Sequence, residues 1–179
     1  MQNEIKAMIQ ESIEAKKSVY EKLTPKIEET VNLIVNALKN KKKIFIAGNG
    51  GSASQASHIA AEFVGRYKIE RRGLPCIALT SDTSILTAWS NDYSYETVFE
   101  RQLEALASEG VVFIALTTSG NSKNLIKAVE FARNHGIYVI GLLGKDGGKM
   151  KNTSSVEIIV PSNNTPRIQE AHIMILHII

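Results

Sequence analysis

The stretch Ile44–Tyr67, IFIAGNGGSASQASHIAAEFVGRY, constrains the fold more than any other part of the chain. Ile44-Phe45-Ile46-Ala47 is a short apolar run of the kind that forms a buried parallel strand. It stops at Gly48-Asn49-Gly50-Gly51, where glycine admits backbone angles that other residues resist. Ser52 is then expected as the N-cap of a helix. A strand, a glycine turn and a helix start form a ready anion site, because free N–H groups and the positive end of the helix dipole face one point. Further along the helix, His58 and Glu62 are four residues apart and share a face.

Neither common phosphate-binding loop is present. A P-loop ends in Gly-Lys-Ser/Thr, and no lysine lies between Lys43 and Lys68. The dinucleotide pattern G-x-G-x-x-G also fails, since Ala53 stands three residues after Gly50. A glycine turn before a helix serves equally well as a plain structural turn, so function must be argued from the rest of the chain.

Its 179 residues suit one domain, with 44% hydrophobic and 22% charged residues. A net charge of +3 gives no reason to expect nucleic acid. The basic run Lys39–Lys43 falls where a helix should end and is read as cations on its C-terminus. The single cysteine, Cys76, lies in an apolar run and is expected in the core; one cysteine excludes an intrachain disulfide. The charged start MQNEIKAMIQESIEAKK is unlike a signal peptide, and no apolar segment reaches the ~20 residues that span a bilayer. The expectation is a cytoplasmic protein with no membrane partner.

The remaining pattern gives two N-terminal helices, residues 1–22 and about 25–39, with Thr24-Pro25 as the cap and first turn of the second. The first is expected to reach out ahead of the body and pack on another subunit. Five apolar strands follow, Ile44–Ala47, Pro75–Leu79, Val111–Leu116, Ile137–Leu143 and Val156–Val160, alternating with helices. Ser81-Asp82 caps a short helix, Asn91-Asp92 makes a turn, and Tyr95–Ala107 is helical. Pro166 opens a last helix to the chain end. The fold class is therefore α/β: a three-layer sandwich with a five-stranded parallel sheet, flavodoxin-like in topology. Residues 1–179 form a single domain, with 1–40 as a helical extension and 41–179 as the α/β core.

Ligands in such sheets bind beyond the carboxyl ends of the strands. The glycine turn lies there after strand one, and Thr117-Thr118-Ser119-Gly120-Asn121-Ser122 lies there after strand three. The second loop sets hydroxyls and a glycine before a helix, with no cation. Two such helix starts on one sheet edge point to a phosphate or sugar-phosphate site. Glu62 is ~15 Å along its helix from Ser52. It would therefore meet a sugar several carbons from the phosphate. Taken by residue type, His58 and Glu62 could be a metal pair, an acid/base pair or a surface pair. On the last helix, Gln169 and His177 are separated by ~12 Å and ~80°. They would meet one ligand only by reaching towards each other or from different subunits.

These residues resemble the phosphoheptose isomerases, within the sugar isomerase (SIS) domain superfamily. The resemblance covers nearly the whole chain and rests on GNGGSASQASHIAAEFVGRY, Asn91-Asp92, TTSGNSKN, GKDGGKM and RIQEAHIMILH. It implies that Asn49, Gly50 and Gly51 contact substrate. Ser52, Thr117, Thr118, Ser119 and Ser122 would hold the phosphate, and Asn91 and Asp92 the sugar hydroxyls. Glu62, Gln169 and His177 would stand at the reacting end, with Glu62 and His177 catalytic. Some family members are described as binding zinc through the positions matching His58, Glu62, Gln169 and His177. Zinc is thus the cofactor implied, with no organic cofactor, and a homotetramer the implied assembly. Family members usually continue beyond the point where this chain stops, so a trimmed C-terminus is expected.

The implied reaction is conversion of sedoheptulose 7-phosphate to D-glycero-D-manno-heptose 7-phosphate through an enediol, for bacterial heptose biosynthesis. It needs a carboxylate base near C2 and an acid/base group for the oxygens. The rival is a non-catalytic SIS-domain protein that senses a sugar phosphate or binds a replication initiator. Such a protein has no reason to keep Glu62, Gln169 and His177 together.

Overall fold

The computed structural model describes all of residues 1–179. The chain runs α1 (Gln2–Lys39), β1 (Ile44–Gly48), α2 (Gly51–Val64), β2 (Cys76–Ala78), α3 (Thr83–Asp92), α4 (Val98–Leu106), β3 (Val112–Leu116), α5 (Lys123–Asn134), β4 (Tyr138–Gly144), β5 (Val156–Val160) and α6 (Thr165–Ile178). Short 3₁₀ turns cover Tyr95–Thr97 and Gly148–Met150. The strands form one parallel sheet in the order β2-β1-β3-β4-β5. Ile44 sits opposite both Cys76 and Val112, and Val112 opposite Tyr138. The α/β sandwich is as the sequence implies.

Alternation along the strands divides the core. Ile44, Ile46, Ile114, Leu142 and Ile158 face a cluster completed by α1, α2 and α6. Phe45, Phe113 and Val139 face the opposite cluster, completed by α4 and α5. β1 and β3 are buried at every residue, which is why they read as unbroken apolar runs. Cys76 is buried beside them, and loss of solvation pushes its thiol up to about 12.

The N-terminal expectation needs correcting. Gln2–Lys39 is one helix, and Pro25 lies inside it. Val19 before the proline and Ile27 after it are buried in the same cluster, so both halves must lie along one line. That packing overrides the lost proline N–H. Thr24 Oγ1 donates to the Tyr20 carbonyl at 2.7 Å on the turn where the ladder is interrupted. The helix does not project clear of the body either. Ser12 Oγ donates to Glu170 Oε2 at 2.6 Å, and Asn164 Nδ2 to Glu11 Oε2 at 2.7 Å, tying its first half to α6 and the loop before it. The stripe Ile5, Met8, Ile9 and Ile13 nevertheless stays exposed.

Two smaller boundaries also move. Asn91 and Asp92 form the last turn of α3 rather than a free turn, and the Tyr95–Ala107 helix is split into a 3₁₀ turn and α4. Asp82 caps α3 as expected, accepting from the Ser84 and Ile85 N–H groups.

Candidate active site

The sheet reverses its order of progression between β1 and β3, and the glycine turn and the hydroxyl loop leave these two neighbouring strands. This is the crevice where open α/β sheets bind ligands. The helix after β1 starts earlier than expected. Gly50, at φ +55° and ψ −122°, is the N-cap, and Ser52 is a buried first-turn residue without a capping bond. Glycine takes the cap because this conformation disfavours any side chain. Ser52 instead packs over Gly48, where an added Cβ would lie 2.7 Å from Ser52 Cβ. In the first helical turn Ser52 N–H donates to the Asn49 carbonyl, and Ala53 and Ser54 N–H to that of Gly50, so the Gly51 N–H and the positive end of the helix dipole are what the turn offers an anion.

The hydroxyl loop is closed on itself. Thr117 Oγ1 is buried and accepts from the Gly120 N–H at 3.2 Å, and it lies 3.2 Å from Ser122 Oγ. Ser119 Oγ accepts from the Asn121 N–H at 3.2 Å. Gly120 has φ +64°, and a Cβ there would fall 1.8 Å from the Gly147 carbonyl oxygen. Asn121 Oδ1 also accepts from the Lys149 N–H at 3.1 Å. The GKDGGKM segment is thus the floor against which this loop is set. Thr118 and Ser119 are half-buried, at the rim of the loop.

The two helix starts are joined through Asn49 by two side chains given no role in the sequence reading, Asn124 and Tyr95. Asn49 Nδ2 donates to Asn124 Oδ1 and Asn124 Nδ2 to Asn49 Oδ1, both at 2.9 Å. Tyr95 OH donates to Asn49 Oδ1 at 2.8 Å. Only the proximity of Asn124 to the hydroxyl loop could have flagged it. Asn91 and Asp92 lie exposed at the end of α3, and Asn91 Nδ2 donates to Asp92 Oδ1 rather than to either loop.

At the other end of the site, α2 and α6 run side by side in the same direction. The Gln169 amide lies over Gly51, with Nε2 2.6 Å from where a Cβ would be. Eight residues on, the His177 ring lies 5.2 Å, centroid to centroid, from that of His58. His58 Nε2 meets Glu62 Oε1 at 3.2 Å, and Tyr67 stacks on His177 at 5.3 Å with 9° between planes. Gln169 and His177 therefore address opposite ends of α2 within one chain. Arg71 donates to the Glu62 and Phe63 carbonyls and closes the C-terminal end of α2 beside Glu62. Tyr67 and Arg71 lie in a segment without regular structure, so periodicity gave no signal for them. A cleft of about 750 Å³ opens beside His177, lined also by Lys16, Tyr67, Lys68, Glu170 and Met174.

The SIS domain model matches residues 8–144. The chain is 51% identical over its whole length to a phosphoheptose isomerase of Geobacter metallireducens, covering 95% of that protein. It is 54% identical over 166 residues to a phosphoheptose isomerase of Helicobacter pylori, matching 93% of this chain and 86% of that one. This chain belongs to the phosphoheptose isomerase family of SIS domain proteins. Among solved structures, phosphoheptose isomerase from Neisseria gonorrhoeae superposes with a TM-score of 0.92 at 42% identity, over 99% of this chain and 95% of that one. The enzyme from Francisella tularensis does so at 0.95 and 36% identity, over 99% and 94%. The five-stranded sheet and the position of its crevice are those of a family fold.

Proposed function

We propose that this chain is an aldose–ketose isomerase that converts sedoheptulose 7-phosphate to D-glycero-D-manno-heptose 7-phosphate for heptose biosynthesis. The observation that carries the reading is the polarity of α2. Its first turn and the neighbouring hydroxyl loop form a cation-free anion cradle, while His58, Glu62 and His177 gather ~9–15 Å further along. A sugar phosphate extended between them has its ester at one end and its carbonyl at the other.

Ser52, Thr118, Ser119 and Ser122 hold the phosphate, Thr117 sets the loop, and Asn49, Gly50 and Gly51 line the turn. Asn91 and Asp92 bind sugar hydroxyls, and Gln169 binds substrate beside Gly51. Glu62 takes a proton from C1 of the ketose while the C2 oxygen gains one, giving the enediol. Return of a proton to C2 and loss of the C1 hydroxyl proton gives the aldehyde. His177 serves the two oxygens.

The chemistry of the donors, two imidazoles, a carboxylate and an amide, suits zinc, which would be held by His58, Glu62, His177 and Gln169. Bound there it would polarise the carbonyl oxygen. No three His, Cys, Asp or Glu side chains already converge as a metal cluster in the single chain, and Gln169 lies ~12 Å along α6 from His177, over Gly51. Each step above is therefore assigned to side chains alone.

The assembly is a homotetramer with its active site at a subunit interface. The exposed stripe of α1 and the half-exposed His58 support this reading. A species near 20 kDa in sedimentation equilibrium that retains full activity would exclude it. The activity itself is tested by incubation with sedoheptulose 7-phosphate and detection of the aldose. Tight binding without aldose formation would leave a sugar-phosphate sensor.

A further inference from the structure

We propose that Asn124 is a positioning residue that fixes the orientation of the Asn49 amide and leaves it one free N–H for the ligand. The proposal rests on the reading that Asn49 contacts substrate.

A primary amide offers two N–H donors and an oxygen with two lone pairs. In Asn49 both lone pairs are occupied, by Asn124 Nδ2 and by Tyr95 OH, and one N–H is given to Asn124 Oδ1. One N–H is left. A reciprocal amide pair by itself does not choose between two orientations, because turning both amides over restores both bonds. The choice is made by a backbone group: the Leu125 N–H, shared with the Ser122 carbonyl at 3.1 Å, donates to Asn124 Oδ1 at 3.0 Å. That bond requires an oxygen at its position in Asn124, hence an N–H opposite it in Asn49. The start of α5 thereby dictates what the turn after β1 presents. Asn124 is 4% exposed, so its partners are not interchangeable with bulk water. Asn49 is half-buried at the mouth of the crevice.

With its oxygen saturated, Asn49 reads an acceptor: a hydroxyl, carbonyl or phosphoester oxygen. Without Asn124 the amide turns freely and presents either edge. The loss falls on ligand binding rather than on proton transfer, which takes place along α2.

The test is a double-mutant cycle on KM and kcat with sedoheptulose 7-phosphate, together with the melting temperature of each variant. Asn49→Ala is expected to raise KM about tenfold, the effect of one good hydrogen bond. Asn124→Ala, and the equal-sized Asn124→Asp, should raise KM by a similar factor with kcat within about threefold. In the Asn49→Ala background Asn124→Ala should raise KM no further. If Asn124→Ala does not fold, the exposed Tyr95→Phe carries the same cycle, with about a threefold rise in the parent and none in Asn49→Ala. KM effects that multiply across the two sites, or an Asn124→Asp enzyme with parental KM, overturn the proposal while leaving the substrate contact intact. An Asn49→Ala enzyme with parental KM overturns the contact itself, and the proposal with it.

Discussion

The phosphate end and the reacting end of the site are built differently. At the hydroxyl loop, Thr117, Ser119, Gly120 and Asn121 satisfy one another and the Gly147-Gly148 floor, all within one chain. At the reacting end, His58 and Glu62 stand on a half-exposed helix face, and the His177 ring packs against those of Tyr67 and His58. A cradle that must fit any phosphate ester can be finished locally. A group that must handle one carbon–hydrogen bond needs dry, fixed surroundings, and in the single chain His58 and Glu62 keep 49% and 29% of their side chains open to solvent. On the proposed function, the contrast assigns affinity to the loop and rate to the α2–α6 pair.

The strongest way to break that division is Glu62→Gln, which keeps size and hydrogen-bonding reach but cannot accept the carbon-bound proton. It should lower kcat by roughly 10²–10⁴-fold with substrate affinity little changed, measured by kinetics and calorimetry. The next effect is on the helix that carries both Gln169 and His177. His172 lies between them, fully buried, with Nε2 2.9 Å from the Leu143 carbonyl, and burial pushes its pKa down to about 4. In the unfolded chain it titrates near 6.5. The stability that depends on neutral His172 is complete above about pH 6.5 and is lost as pH falls towards 4, by on the order of 3 kcal/mol. Thermal melts across this range should show the loss in the parent and less of it in His172→Gln, which keeps a donor for Leu143.

Ser119→Ala should act in the opposite sense to Glu62→Gln, raising KM about tenfold through a lost charge-assisted hydrogen bond while kcat stays within about threefold. The smallest effect is expected from chelation. Zinc on mixed nitrogen and oxygen donors is readily lost, so metal is expected below one per subunit. Its removal should lower turnover. Unchanged turnover after verified metal loss would make zinc adventitious.

Much of this was legible in the sequence because each element carried its own mark. β1 and β3 read as buried runs, and GNGG and TTSGNS read as loops at helix starts. The errors came where one mark serves two structures. Thr24-Pro25 looks the same at a helix start and inside a helix, and only the shared burial of Val19 and Ile27 decides. Ser52 has the chemistry of a cap, but Gly50 has the conformation for it. Asn124 was marked only as the last residue of TTSGNSKN, and Tyr95 only as the start of a helix. Their role exists only because the parallel sheet sets the ends of β1 and β3 side by side, which brings residues 75 positions apart into contact.

The claim that Glu62 moves the carbon-bound proton is tested most directly by isotope exchange. With the parent enzyme in D₂O, sedoheptulose 7-phosphate should lose a C1 proton to solvent deuterium, followed by NMR, as the enediol forms and returns. Glu62→Gln should bind the substrate and show no exchange on the same timescale. Exchange and turnover within about fivefold of the parent, well short of the loss that follows removal of a general base, would contradict the account and hand the proton to His177 or to a metal-bound hydroxide.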